Sequence, residues 1–245
     1  MLIKNFIKSY SINTSGKKKS YNTLSYLILN FFANFLIAIF LKFKIKPDAV
    51  TSLNLILYLT STILIFSFQN ENYFFGIIIF LITLLIDKCD GGLARIYKHK
   101  TFFGKYYDSI IDIIFPGIIL LGLTLNYYIV NDDFLFLTIG IFSSFFLVFD
   151  STVLDKYAAI VRWCNQENKS KIVPYLKKNM ISNLHDILKQ DIIFVCLILI
   201  LLKPLSDSSQ VYYFSIIYFV CIFSGLYNLI FHSIKAKKNL NYKKK

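Results

Sequence analysis

A chain of 245 residues that is 56% apolar and only 17% charged, with a mean hydropathy of +0.57, has too little polar material to cover a soluble surface. That balance excludes a disordered chain and a disulfide-stapled secreted fold, and leaves a membrane-embedded protein with no room for a large soluble domain. The net charge of +13, from 27 Lys and Arg against 14 Asp and Glu, reads as a cytoplasmic-side signal and not as a nucleic-acid footprint, so no nucleic-acid partner is expected.

The N-terminal stretch is basic and lacks the apolar core and cleavage site of a signal peptide. Residues 24–41 form an uncharged run flanked by Lys17, Lys18 and Lys19 on one side and Lys42, Lys44 and Lys46 on the other. A spanning helix would separate those clusters across the membrane, whereas a helix lying in the interface keeps both on one side. Thr23, Asn30 and Asn34 give it a thin polar edge. The expectation is therefore an in-plane amphipathic helix.

Six runs follow: 51–68; 73–86, continuing helically to about Arg95; 113–130, preceded by a helical stretch from Gly104; 134–149, extending toward Trp163; 192–202, with its helix starting near Leu184; and 211–234. With six spans, the loops at 69–72, 131–133 and 203–210 carry Lys203 alone, and the opposite side holds the other 26 of the 27 basic residues. The expected fold is an all-α integral membrane protein of six transmembrane helices, with both termini and the site cytoplasmic, in a bacterial inner membrane or a plasma membrane. It reads as a single membrane domain over 1–245: a basic region and interfacial helix at 1–46, a six-helix catalytic bundle at 51–236 and a basic tail at 237–245. The Lys-rich ends face anionic membrane lipids. Cys89, Cys164, Cys196 and Cys221 form no C-x-x-C pair and read as small apolar residues.

Charges at the edge of a span need a reason. Asp90, Gly91, Ala94 and Arg95 fall between about −60° and +80° of Asp87 around a helix, which is one face. Gly104, Asp108 and Asp112 are spaced by four and share a face of the next helix. The turn between the helices is short, so two carboxylates from each converge just inside the cytoplasmic boundary. Lys88 and Arg95 offset only part of that charge, so protons or cations must neutralise the rest. Oxygen-only ligands suit Mg²⁺ or Mn²⁺, and two such ions balance four carboxylates. A pair of such ions is a common device for in-line displacement at phosphorus. The small residues on these faces clear space for a ligand, or simply for close helix approach.

The pattern D-x-x-D-G-x-x-A-R-x8-G-x3-D-x3-D over residues 87–112 resembles the signature of the CDP-alcohol phosphotransferases at every specified position. Members of that family also carry an amphipathic helix before the first span, then a Pro-Asn-x-x-Thr element; here it reads Pro47-Asp48-Ala-Val-Thr51, with Asp48 in place of Asn. The resemblance implies transfer of a substituted phosphate from a CDP-linked alcohol to a second alcohol, with release of CMP. It assigns Asp87, Asp90 and Asp108 to two divalent ions, Asp112 to the general base with possible metal contact, and Gly91, Ala94, Arg95 and Gly104 to the CDP site. The donor it implies is CDP-diacylglycerol with a small polar alcohol as acceptor. The reverse arrangement, a CDP-linked head group donated to a lipid alcohol, is the alternative within the family. It implies a homodimer as well. Outside the family, the carboxylates suit an ion-coupled transporter, but those sit near mid-membrane. Ile113, Ile114 and Phe115 follow Asp112 where the glycerophosphate and inositol-phosphate types carry Lys or Arg, so the acceptor is not legible.

Weaker signals remain. Asp150 either lines an acceptor pocket or makes a polar contact between helices. Arg162 with Trp163 reads as a helix anchor, His185 and Asp186 as a surface turn, and Pro116-Gly117 as a kink.

Overall fold

The computed structural model describes residues 24–97, 102–168 and 180–240. These form seven helices and no strand: α1 (Leu24–Lys42), α2 (Pro47–Ile65), α3 (Asn70–Tyr97), α4 (Phe102–Asn131), α5 (Phe134–Asn168), α6 (Met180–Leu201) and α7 (Gln210–Leu240). The expected helical runs are all present; α2 starts four residues earlier than its run and stops three residues sooner, at Pro47 and Ile65, and α6 ends at Leu201. By length and composition, four stretches among the described residues are apolar enough to cross a membrane: Pro47–Ile65, Tyr106–Asn131, Phe134–Val161 and Gln210–Lys237. The basic stretch at 1–23 and the end of the tail at 241–245 lie outside the described residues.

The turns that set the helix order follow local chemistry. α1 stops because Lys44 takes a left-handed conformation, φ 54°, and its N–H bonds to Leu41 O at 3.3 Å while Ile45 N–H bonds to Phe40 O at 2.9 Å. Together these close the last carbonyls in a Schellman motif. Three residues later, Pro47 opens α2, where its fixed φ suits the first helical position and its missing N–H leaves nothing unbonded. Asp133 caps α5 by accepting the Phe136 N–H at 3.0 Å. In the α6–α7 turn, hydrogen bonds from Ser209 and the neighbouring Lys203 ammonium hold the Asp207 carboxyl below its usual range.

The main core runs through all of α2 to α7, with Tyr58, Tyr73, Ile119, Phe214 and Tyr218 fully buried. A second cluster joins Ala33 and Ile37 of α1 to Val50 of α2 and to Ile86, Cys89 and Leu93 of α3. It supports the end of α3 that carries Asp87 and Asp90. The exposed side of α1 is apolar (Leu27, Phe31, Phe32, Phe35), and Asn34 is turned inward and buried, not presented on an outer polar edge. Much of the remaining apolar surface is exposed too, as a lipid-facing bundle requires.

Hydrogen bonds between helices fix the bundle where apolar packing alone has little driving force. Asn126 Nδ2 donates to Ile65 O at 2.7 Å, tying α4 to α2, and Thr124 Oγ1 and Tyr218 Oη share a bond of 2.8 Å between α4 and α7. Asp150, on α5, accepts from Lys189 of α6 and from Ser224 and Asn228 of α7. Of the two readings of Asp150, this arrangement is the contact between helices.

Candidate functional site

The signature residues meet at one end of the α2–α3–α4 sub-bundle. α2 and α3 run antiparallel in close contact, pinned by Ser61 Oγ donating to Gly76 O at 2.8 Å and by Thr51 Oγ1 donating to an Asp90 carboxylate oxygen at 2.8 Å. Asp90 is buried, and it also accepts the Gly91 backbone N–H. Asp87, one turn back on α3, is half-buried and paired with Lys88 Nζ at 2.8 Å. From α4, Asp108 brings the third carboxylate. One oxygen from each of Asp87, Asp90 and Asp108 lies within 4.8 Å of the others.

Asp112 stands one turn further along α4. It is exposed and lies outside that close group of three, although it interacts electrostatically with Asp87, Asp108, Lys88 and Asp90. Of the four expected carboxylates, three thus lie within 4.8 Å of one another, and Asp112 is within electrostatic reach of them one turn further along α4. Tyr58 of α2 stacks on Phe115 of α4 with ring centroids 5.0 Å apart, and it fixes α2 against α4 a turn from Asp112.

Gly91 is half-buried, and a Cβ added there would meet only Arg95 Nη1, at 3.5 Å. The Arg95 side chain is exposed and folds back over this open backbone. Ala94 and Gly104 are half-buried on the same faces. A cavity of about 260 Å³ has mostly apolar walls, including Phe80, Leu84, Ile119 and Leu197, with Lys88 and Lys189 also lining it; Lys88, the partner of Asp87, connects it to the carboxylates, none of which lines it. Asp48 is exposed at the start of α2. The side chains of Arg162, Cys164, His185 and Asp186 lie outside the described residues.

The donor set fits a hard divalent cation. It offers carboxylate oxygens from two helices with no nitrogen or sulfur among them, and among the described residues it is the cluster of this kind that the bundle assembles. The Thr51 contact was not foreseen as a bond to a carboxylate. Its signal was the Pro47–Thr51 element, which places Thr51 on the inner face of α2. Tyr58 carried no signal, because a lone aromatic in an apolar run is indistinguishable from core.

A protein of Aquifex aeolicus (strain VF5), described only as uncharacterized, is 29% identical over 102 residues, which is 42% of this chain and 46% of that protein. The chain thus matches under half the length of that relative. A sequence model of the CDP-alcohol phosphatidyltransferases matches residues 44–224, from the turn before α2 to the middle of α7, and includes every carboxylate of the cluster. With that extent of match, the chain belongs to the CDP-alcohol phosphatidyltransferase family.

Proposed function

We propose that the protein transfers a phosphatidyl group from CDP-diacylglycerol to a small polar alcohol and releases CMP, as a step of phospholipid synthesis. The observation that carries this reading is the group of three carboxylates drawn from two helices, with Lys88, the partner of Asp87, lining a largely apolar cavity: one part suits a metal-bound pyrophosphate, the other an acyl chain. Asp87, Asp90 and Asp108 hold two Mg²⁺ or Mn²⁺ ions, which mask pyrophosphate charge when bound. Gly91, Ala94 and Gly104 leave room for the nucleotide, and Arg95 supplies a guanidinium to its phosphates.

The acceptor hydroxyl oxygen forms a bond to the phosphorus that bears diacylglycerol. The P–O bond to the CMP phosphate breaks, and the hydroxyl proton passes to Asp112, whose separation from the other three supports its role as base. The protein crosses the membrane six times, with α1 along the cytoplasmic surface between its flanking lysines, and acts as a homodimer. Purified protein with CDP-diacylglycerol and Mg²⁺, screened against glycerol 3-phosphate, inositol phosphate, serine and similar alcohols, is expected to release CMP with one of them. No CMP release with any acceptor, while CDP-linked head groups react with diacylglycerol, would reverse donor and acceptor.

A further inference from the structure

The inner face of α2 holds a polar group that nothing in the protein satisfies. Asn54 is 2% exposed, and its Oδ1 has no hydrogen-bond donor. A buried amide oxygen without a partner is rare and demands an explanation. Its position is fixed by its neighbours on the same helical stripe. Three residues before it, Thr51 bonds to Asp90. Four residues after it, Tyr58 stacks on Phe115 and interacts electrostatically with Asp112, Asp87 and Asp108. With Thr51 opposite Asp90 and Ser61 opposite Gly76, the antiparallel register sets Asn54 level with the turn of α3 that carries Asp87. The orphaned oxygen is thus bracketed by two residues that both face the carboxylates.

The nearby threonine and serine hydroxyls are already committed. Thr51 gives its proton to Asp90, Thr83 to Phe80 O and Ser61 to Gly76 O. The carboxylates themselves, when ionised, only accept. What an amide oxygen in such a place can receive is a water or a cation, and its position among three carboxylates favours the cation, its burial a small dehydrated ion over a nucleotide. A neutral oxygen also adds a ligand without adding charge to a crowded acidic group, and hard cations take six or more oxygens where three carboxylates alone leave positions open.

We infer that Asn54 is a further ligand of the divalent ion held by Asp87, Asp90 and Asp108. This rests on the two-ion reading above. The test is Mn²⁺ binding to the purified full chain in detergent without substrate, read by electron paramagnetic resonance and by the metal-induced rise in melting temperature. Asn54→Leu, close in volume but without the oxygen, should melt no lower than the parent in chelator and bind Mn²⁺ at least about tenfold more weakly. Asn54→Asp, which keeps an oxygen, should bind at parental affinity or tighter. Parental Mn²⁺ affinity in Asn54→Leu would overturn the assignment; should that variant not fold, weakened Mn²⁺ binding in Asn54→Asp would do so. A parent chain that binds no Mn²⁺ would instead sink the metal reading of the carboxylates themselves.

Discussion

Thr51 of α2 donates a 2.8 Å hydrogen bond to the carboxylate of Asp90 on α3, so the first residue stripe of one helix orients a buried acid on the next. Hydrogen bonds to a charged group contribute about 1.5–3 kcal/mol. Thr51→Val keeps the shape and removes the donor. It is expected to lower stability in detergent by about that amount and to weaken Mg²⁺ binding, while Thr51→Ser retains both. Chemical or thermal melts with and without Mg²⁺ check this. Equal melts for Thr51→Val and the parent would mean the bond orients nothing.

Three close carboxylates and one that stands apart predict two different phenotypes. Asp112→Asn cannot accept the hydroxyl proton and should lose turnover by about 10²–10⁴-fold, while still binding the CDP-linked donor in Mg²⁺. Asp87→Asn should lose turnover and metal-dependent donor binding together. Steady-state CMP release and equilibrium donor binding separate the two. Donor binding lost as fully in Asp112→Asn as in Asp87→Asn would make Asp112 a ligand and not the base.

Removal of divalent ions should abolish CMP release, and Mg²⁺ or Mn²⁺ should restore it, because an oxygen-only donor set holds hard ions. The check is activity across an EDTA titration followed by metal add-back. Full activity after exhaustive chelation would reduce the aspartates to structural roles.

The Asp150 network is expected to be structural. Lys189→Met leaves a buried carboxylate without its cation and should destabilise the protein by about 3–5 kcal/mol. Asp150→Leu with Lys189→Met should recover much of that loss, because it removes both charges. Melting of the two single variants and the double variant measures this. A selective rise in acceptor KM per folded molecule would place Lys189 at the acceptor.

Membrane sidedness follows from the basic residues. Single cysteines at Asn72, Asp132 and Ser208, in a background whose native cysteines are replaced, should react with an impermeant thiol reagent from outside, and one at Lys18 should not. External labelling at Lys18 would mean that α1 spans.

Much of this protein was legible in its sequence, because membrane helices and the carboxylate signature are both local patterns. Uncharged runs marked the seven helices, and helical periodicity put Asp87 with Asp90 and Asp108 with Asp112 on shared faces. The resemblance to the family rested on residues 87–112 alone, since a fixed spacing on two consecutive helices survives without any knowledge of the rest, and the family match extends it over residues 44–224.

What the tertiary structure decided was which residues from distant helices meet. Periodicity gives the face of a helix but not its rotation against neighbours, so it could not separate Asp112 from the close three carboxylates. Nor could it choose between pocket and helix contact for Asp150, because Lys189, Ser224 and Asn228 lie on two other helices. Asn54 and Tyr58 were invisible for the same reason. Within an apolar run, a single polar or aromatic residue has no local signature, and its meaning comes only from the helices it is packed between.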